Sequence, residues 1–191
     1  MISFLEKVRT SNDDLATFNK IRNSIMIFLF GIALGVFSKW LDNLSFNDSI
    51  WWQHILGILN LNNIFSSFGV WILIAVCISI YSNSPLRASI NVFIFFVGMC
   101  VIYHIYTIVF AGFNPMNYML IWYLVTLISP FMAFVCWYAK GNGIIAFIIK
   151  VCIITVMILC CFAIGIWYLD FTSIINTIFF VTTLVVLYDT P

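Results

Sequence analysis

Long apolar runs, separated by short polar connections, fill the chain from residue 24 to residue 187. Each run has about the 17–25 residues that a helix needs to cross a hydrocarbon core of roughly 30 Å. The pattern therefore predicts an all-α, polytopic membrane protein with six transmembrane helices in one bundle. The predicted spans are 24–41, 64–81, 88–111, 118–138, 144–168 and 171–187.

The polar segments divide the chain further. Residues 1–23 are charge-dense and are predicted to form a cytoplasmic or interfacial N-terminal segment, either a short surface helix or a frayed terminus. Residues 42–63 are predicted to form the longest outer loop, and within it the amphipathic stretch 50–61 is suited to the membrane interface. Residues 24–191 are predicted to be one transmembrane domain, because no Gly- or Ser-rich linker interrupts them.

The composition supports a membrane location. Of the 191 residues, 64% are hydrophobic and 8% are charged, and the mean hydropathy is +1.12. A soluble protein needs far more charge on its water-facing surface. The net charge of +1 supplies no basic surface for a nucleic acid, so the lipid bilayer is the first predicted partner.

The basic residues predict the orientation of the bundle. Seven of the eight Lys and Arg residues fall at one end, and only Lys39 falls at the other. Because cytoplasmic loops of membrane proteins are enriched in Lys and Arg, both termini are predicted to be cytoplasmic. The seven residues are Lys7, Arg9, Lys20, Arg22, Arg87, Lys140 and Lys150.

Small residues form a stripe on the first predicted span. Gly31 and Gly35 make a G-x-x-x-G pair, and Ser38 continues the same face. Helices in lipid associate where small residues let their backbones approach closely. The stripe is therefore either a seam within the bundle or a contact for a helix of a separate partner subunit.

His104 is a polar side chain within the third predicted span. Such residues usually face the bundle interior or water. It either forms a hydrogen bond to a neighbouring helix, or lines a substrate cavity or relays a proton. Cys100 lies one helical turn away, and the two are the candidate reactive pair of a membrane enzyme, although nucleophilic catalysis also needs an orienting third group.

Motifs for catalysis and for metal binding are missing from the sequence. It contains no H-E-x-x-H, G-x-S-x-G or P-loop pattern, so we predict no enzymatic activity and no catalytic residues. The six cysteines lie inside apolar runs without a C-x-x-C pair. They are expected to behave as small hydrophobic side chains, so no metal site and no cofactor are predicted.

A small-molecule site is predicted at the outer end of the bundle, where polar side chains meet aromatic ones. A few convergent polar groups in an aromatic setting suit ligand binding, although an ordinary membrane interface has a similar composition. The candidate ligand-binding residues are Lys39, Asp42, Trp51, Trp52, His54, His104, Asn114, Trp122 and Asp170.

Several separated stretches resemble an uncharacterised family of small multi-span membrane proteins of low-GC Gram-positive bacteria. They are GIALGVFSKWLDNL, FGVWILIA, SPLRASINVFIFFVGM and WYAKGNG. The resemblance implies a multi-pass protein of the bacterial cytoplasmic (plasma) membrane, and it carries no known functional residues.

A looser architectural similarity is to the S components of energy-coupling-factor transporters. That similarity implies six spans, cytoplasmic termini and substrate binding near the outer face. In that family small residues spaced by four meet the energising subunit, usually as Ala-x-x-x-Ala. Gly31 and Gly35 stand at the matching positions here.

Together these patterns predict a non-enzymatic membrane protein that binds a small molecule near its outer face as a transporter subunit. Transport would then require a membrane coupling subunit or an ATPase complex as partner. The alternative is an accessory or scaffold protein that acts by helix–helix contacts with a partner complex or with itself.

Overall fold

The computed structural model describes residues 6–11, 16–44, 50–164, 169–171 and 174–189. Within these ranges the helices are α1 (Thr17–Asp42), α2 (Trp51–Ile58), α3 (Leu61–Ser66), α4 (Phe68–Ile80), α5 (Pro85–Tyr106), α6 (Met116–Trp137), α7 (Ile144–Cys161) and α8 (Ile174–Tyr188). A π-helical turn, Thr107–Ala111, continues α5, and a 3-10 turn, Tyr138–Lys140, continues α6. Two strands, β1 (Phe162–Ile164) and β2 (Leu169–Phe171), pair antiparallel.

Four of the described helices are long and apolar enough to cross a membrane. They are Thr17–Asp42, Pro85–Phe110, Met116–Lys140 and Ile144–Cys161. Helices α4 and α8 are also apolar but have only 13 and 15 residues. The predicted helical architecture is confirmed apart from the short strand pair, and the long apolar helices indicate a multi-pass membrane protein.

The second predicted span, 64–81, is not one continuous helix. Helix α3 ends at Ser66, and α4 starts at Phe68. Between them Ser67 has extended backbone angles, and its hydroxyl donates to the carbonyl oxygen of Ile64 at 2.7 Å. Serine competes for backbone groups in this way, and the competition favours helix ends.

The fifth predicted span, 144–168, also ends early. Helix α7 stops at Cys161, and the chain continues as β1. Apolar residues follow one another across this point without a polar interruption, and hydrophobic periodicity does not distinguish a buried strand from a buried helix in so short a run. Residues 165–168 lie outside the described part of the chain, as do 1–5 and 12–15 of the predicted N-terminal segment and 45–49 of the predicted loop.

The closest helix contact joins α1 to α5. A Cβ atom on Gly31 would collide with the carbonyl oxygen of Phe95, and one on Gly35 would lie 2.9 Å from that of Met99. From the other side, a Cβ on Gly98 would lie 2.7 Å from the carbonyl oxygen of Phe28. Three glycines thus let the two backbones touch, as close helix packing in lipid requires.

Hydrogen bonds and apolar contacts bring the helix ends together in two groups. The Arg9 end contains the first residues of α1, α5 and α7 and the last residues of α4, α6 and α8. The Asp42 end contains the last turn of α1, the short helices α2 and α3, and the first turns of α4 and α6. Helices that follow one another from α4 to α8 therefore run antiparallel, whereas α1 and α5 both start at the Arg9 end and run parallel to each other.

Candidate functional site

At the Asp42 end, the carboxylate of Asp42 is the centre of a polar cluster. Asp42 is the last residue of α1, and Lys39 lies three residues earlier with its Nζ atom 3.7 Å from Asp42 Oδ2. The Tyr103 hydroxyl of α5 donates to Oδ2 at 2.8 Å, and the Ser66 hydroxyl of α3 donates to Oδ1 at 3.5 Å. One carboxylate thus joins three separate elements.

The ammonium group of Lys39 has aromatic neighbours as well. Its Nζ atom lies 5.0 Å from the ring centroid of Tyr103 and 5.8 Å from that of Phe113. A cation over aromatic faces is stabilised by their electron density. Tyr103 therefore contacts both members of the Lys39–Asp42 ion pair, although the sequence analysis did not single it out.

Aromatic side chains fill the space beneath this cluster. The rings of Trp71 and Trp122 meet edge to face at 6.0 Å, and the Trp71 indole donates to the carbonyl oxygen of Phe65 at 2.9 Å. The cavity that remains, lined by these side chains together with Asp42 and Tyr103, has a volume of about 10 Å³. That volume is at the lower limit for one water molecule, so the Asp42 end is closed in this structure.

The predicted ligand-binding residues divide into those near the closed cavity and those away from it. Asp42 and Trp122 line the cavity, and Lys39 lies beside it through Asp42. The others named in the sequence analysis do not line it. Tyr103, Ser66, Trp71 and Tyr118 line it instead. Enrichment of aromatic residues near the membrane interface is the one signal that could have pointed to Trp71 and Tyr118.

Helix α2 carries three of the predicted residues that lie away from the cavity. None of its side chains is buried, and Trp51 is 75% exposed. Trp52 stacks on Trp40 of α1 with ring centroids 6.3 Å apart, and His54 is exposed on the same helix. An exposed, apolar short helix is suited to the membrane interface, as the sequence predicts for 50–61.

Two more of the predicted ligand-binding residues, Asn114 and Asp170, are also separate from the cavity. Asn114 is exposed in the connection between α5 and α6. Asp170 pairs through its backbone with Ala163 in the two-stranded sheet, and its side chain lies outside the described part of the structure.

His104 and Cys100 bind different residues of α6. The Nδ1 atom of His104 and the hydroxyl of Tyr123 form a short hydrogen bond, with the two rings nearly parallel. The sulfur of Cys100 lies 3.3 Å from the hydroxyl oxygen of Thr126. Both side chains therefore join α5 to α6, which is the first of the two interpretations that the sequence left open for His104.

The small-residue stripe of α1 contacts the same chain. Gly31 and Gly35 lie against the α5 backbone, and Ser38 is buried beside the Asp42 cavity. The face that a separate subunit would use is thus occupied by α5, so the structure has the seam within the bundle rather than a partner contact here.

At the Arg9 end, a cation from the N-terminal segment connects two helices. The Arg9 guanidinium donates to the carbonyl oxygens of Trp137, at 2.6 Å, and Ile80, at 3.0 Å. These residues end α6 and α4, where the helix dipoles favour positive charge. The guanidinium also lies 4.0 Å over the Trp137 ring. Burial lowers the pKa of Arg9 from its ordinary value, and arginine remains a cation despite such shifts.

The same segment is fixed by backbone contacts. The amide of Asn142 donates to the Val8 carbonyl oxygen at 2.8 Å. Gly141 lies so close to this carbonyl that a Cβ atom would collide with it. Within residues 6–11, Val8 is buried and Arg9 is half-buried against the base of the bundle, while the other four residues are exposed.

A chain of hydrogen bonds continues across this end. Arg87 donates to the Lys20 carbonyl at 2.7 Å and to the Ser24 hydroxyl at 2.9 Å. Ser24 donates to Asn91, and the Asn91 amide donates to the Ser82 hydroxyl, each at 3.3 Å. The start of α1, the start of α5 and the end of α4 are thereby connected.

A second cavity opens on the side of the bundle. This lateral groove lies between α6 and α7, with α4 and α5 as its floor, and its volume is about 700 Å³. Its walls include Ile128 and Met132 of α6 and Ile149 and Ile153 of α7. The volume lies within the roughly 300–1,000 Å³ of small-molecule sites, but the lining is almost wholly apolar.

Metal binding has no support in the described ranges, where no group of three His, Cys, Asp or Glu side chains is arranged to hold an ion. Comparisons of the chain with protein-family models, with curated proteins and with solved structures find no match.

Proposed function

We propose that the protein crosses the bacterial plasma membrane six times and has both termini in the cytoplasm. The antiparallel order of the helices supports this topology, with α4 and α8 as two shorter crossings. The accumulation of basic residues at the Arg9 end supports a cytoplasmic location for that end. The Asp42 end would then face outward.

The topology has a direct test in cysteine labelling of intact cells. Cysteines introduced at the two ends of the described chain, by Ser11→Cys and Asp189→Cys, should be protected from a membrane-impermeant maleimide. Both should react once the cells are permeabilised. Labelling of one of them in intact cells would place the ends on opposite faces and refute six crossings.

We further propose that the protein is a non-enzymatic binding subunit for transport and that its ligand site is the Asp42 cluster in an occluded state. The observation that carries this proposal is the convergence of Lys39, Tyr103 and Ser66 on one carboxylate. Polar groups from several elements, set in an aromatic floor, can recognise a small polar molecule. The chain has no nucleotide-binding motif, so a coupling subunit or ATPase would have to drive transport.

Ligand binding at this cluster requires an opening, because the present cavity of about 10 Å³ holds no organic molecule. Helix α2 is the suitable moving part, because α3 is anchored by the buried Ile64 and by the hydrogen bond from Trp71 to the Phe65 carbonyl. None of the side chains of α2 is buried, and the described polar link from α3 to Asp42 is the long 3.5 Å contact of Ser66. At Asn60, between the two helices, the backbone is left-handed, with φ of 52°; asparagine adopts this conformation more readily than most residues, and here it marks the turn that separates α2 from α3.

The experiment is a search for a bound molecule. Protein extracted from bacterial membranes in mild detergent is denatured, and the released small molecules are identified by mass spectrometry. Asp42→Asn should carry at least tenfold less of an enriched compound, since hydrogen bonds to a charged group contribute about 1.5–3 kcal/mol. Asp189→Asn, at the opposite end, is the matched control and should retain the compound.

The accessory function remains the second candidate, and the filled Asp42 end favours it. An accessory protein needs no cavity, and it would contact its partner through faces other than the α1 stripe, which α5 occupies. This function predicts that a membrane protein, and no small molecule, co-purifies equally with the wild type and with Asp42→Asn. That outcome would overturn the transporter proposal.

A further inference from the structure

The lateral groove has the length of a large part of the membrane core. On α6 its lining extends from Ile121 to Cys136, which corresponds to about 22 Å at 1.5 Å per residue. The facing wall on α7 extends from Ile148 to Val156. The two helices contact each other little within this region, so the groove is a long slot between them.

The described lining of the groove is mainly hydrocarbon, and its polar groups are two hydroxyls and the weakly polar thiols of Cys136 and Cys152. Two hydroxyls in its lining are used by the chain itself: Ser79 donates to the carbonyl oxygen of Ala75 at 2.7 Å, and Ser129 donates to that of Thr126 at 2.9 Å. The second bond has a clear cause. Pro130 lacks the amide that would bond to the Thr126 carbonyl, and the adjacent serine supplies the donor. Among the described lining residues a polar ligand would therefore find no strong hydrogen-bond partner.

The Arg9 end of the groove is closed, and its side is open. Val8, Trp137, Tyr138 and Ala146 form a buried cluster at the connection between α6 and α7. Toward the side, the groove continues into exposed apolar residues of the helices, such as Leu124 and Ile148, which are also part of its rim. The groove is thus continuous with the surface that faces lipid and is separated from the water at that end.

The rim is better suited to a flexible chain than to a helix. Helices pack in lipid through small or hydrogen-bonding residues. The rim instead carries long aliphatic side chains, such as Ile128, Met132 and Ile153. These can adjust around a hydrocarbon chain, whereas they would hold a helix backbone away from the floor.

We propose that the groove binds an acyl chain of a membrane phospholipid, inserted sideways from the bilayer. Its apolar lining, its internally satisfied hydroxyls and its continuity with the lipid-facing surface all fit this occupant. The proposal depends on the membrane location of the protein but not on the Asp42 site, so each can fail without the other.

The test uses a phospholipid with a photoreactive diazirine on its acyl chain. The protein is reconstituted in vesicles of phosphatidylglycerol and phosphatidylethanolamine that contain this lipid. It is then extracted in detergent, passed through a size-exclusion column to remove loosely associated lipid, and irradiated. Mass spectrometry should find the label on groove residues such as Met132 and Ile153. It should be at least fivefold weaker on Leu127 and Phe131, which are more exposed but lie outside the groove.

Two tryptophan substitutions on α7 sharpen the result. Cys152→Trp places a large ring in the groove from an exposed position of its wall, and should reduce groove labelling at least fivefold. Val151→Trp lies at the same depth but outside the groove, and its groove residues should be labelled to the same extent as those of the wild type. Equal size-exclusion profiles and thermal midpoints show that both variants fold.

Three outcomes would overturn the proposal. One is a label distributed over the helices in proportion to exposure, and another is unchanged groove labelling in Cys152→Trp. The third is a groove that stays unlabelled because a second protein co-purifies there. If Cys152→Trp fails to fold, the wild-type map alone decides, since loosely associated lipid has been removed before irradiation.

Discussion

The two ends of the bundle are held together in different ways. At the Arg9 end, Arg9 and Arg87 donate to backbone carbonyls of α4, α6 and α1. At the Asp42 end, a side-chain cluster joins α1 and α5 to a short helix through the 3.5 Å contact of Ser66. Backbone acceptors at helix ends are fixed in position, whereas an exposed side-chain contact contributes little. We infer that the Arg9 end is a rigid base and the Asp42 end a closed but movable mouth.

The largest expected effect comes from removing the cation of the base. Arg9→Ala deletes the charge-assisted bonds to the carbonyls of Ile80 and Trp137 and should destabilise the protein by about 2–4 kcal/mol. The measurement is the free energy of unfolding in mixed detergent micelles. Lys7→Ala, an exposed neighbour, should change it by less than about 0.5 kcal/mol. Equal values for the two variants would show that the base is not held by Arg9.

A smaller effect is expected where the N-terminal segment meets the connection after α6. Gly141→Ala places a methyl group against the carbonyl of Val8 and should cost about 1–3 kcal/mol, as overpacking does. Limited proteolysis should then cleave residues 6–11 faster than in the wild type. Asn142→Ala keeps the backbone amide that bonds to Val8 and is the matched control. An undisturbed N-terminal segment in Gly141→Ala would contradict the packing.

At the mouth, removing a charged group should affect the entry of water-soluble reagents more than it affects stability. Asp42→Asn removes the charge from a largely buried ion pair, whose side chains are 9% and 18% exposed, but it keeps an oxygen that can accept from Tyr103, so the free energy of unfolding should fall by about 1–2 kcal/mol. A cysteine at the buried Ser38 position should nevertheless react with a water-soluble maleimide at least threefold faster in the Asp42→Asn background. A large loss of stability without faster labelling would make the Asp42 end a structural base like the other.

The smallest effect is expected in the groove, between the two ends. Ser129→Ala leaves the Thr126 carbonyl without the donor that compensates for Pro130 and should cost about 1 kcal/mol of unfolding free energy. Ser89→Ala is the control, because Ser89 bonds to the carbonyl of Pro130 itself and lies outside the groove. An effect of Ser89→Ala equal to or larger than that of Ser129→Ala would contradict a special role for the bond that replaces the missing Pro130 amide.

The sequence predicts the helical architecture well. A segment that crosses lipid must be apolar and must satisfy its backbone hydrogen bonds internally, so each such helix shows in the sequence as a long apolar run. It also predicts a close contact at Gly31 and Gly35, but small residues indicate close packing without identifying the neighbour. The partner is α5, whose Gly98 completes the seam. Gly98 lies in a long apolar run, and such a run does not show which face of the helix packs against a neighbour.

Other features depend on contacts between distant residues, which a single sequence does not reveal. Arg9 is 128 residues from Trp137, and its charge-dense surroundings resemble those of a solvated terminus. Tyr103 meets Asp42 across 61 residues, whereas the neighbouring His104 drew attention because it is the rarer residue in a membrane span. Of the predicted ligand-binding residues, only Asp42 and Trp122 line the cavity. The prediction selected residues near the outer ends of the spans and did not take into account which face of each helix points into the bundle.

Hydrogen–deuterium exchange of the protein in lipid nanodiscs compares the two ends most directly. If the base is rigid and the mouth movable, the amides of α2 should exchange at least tenfold faster than those of the short connection Tyr138–Lys140. A helix at the Asp42 end would then open more readily than a short turn at the Arg9 end. Exchange of the α2 amides at the same rate as in that connection, or more slowly, would contradict a mouth that opens above Asp42.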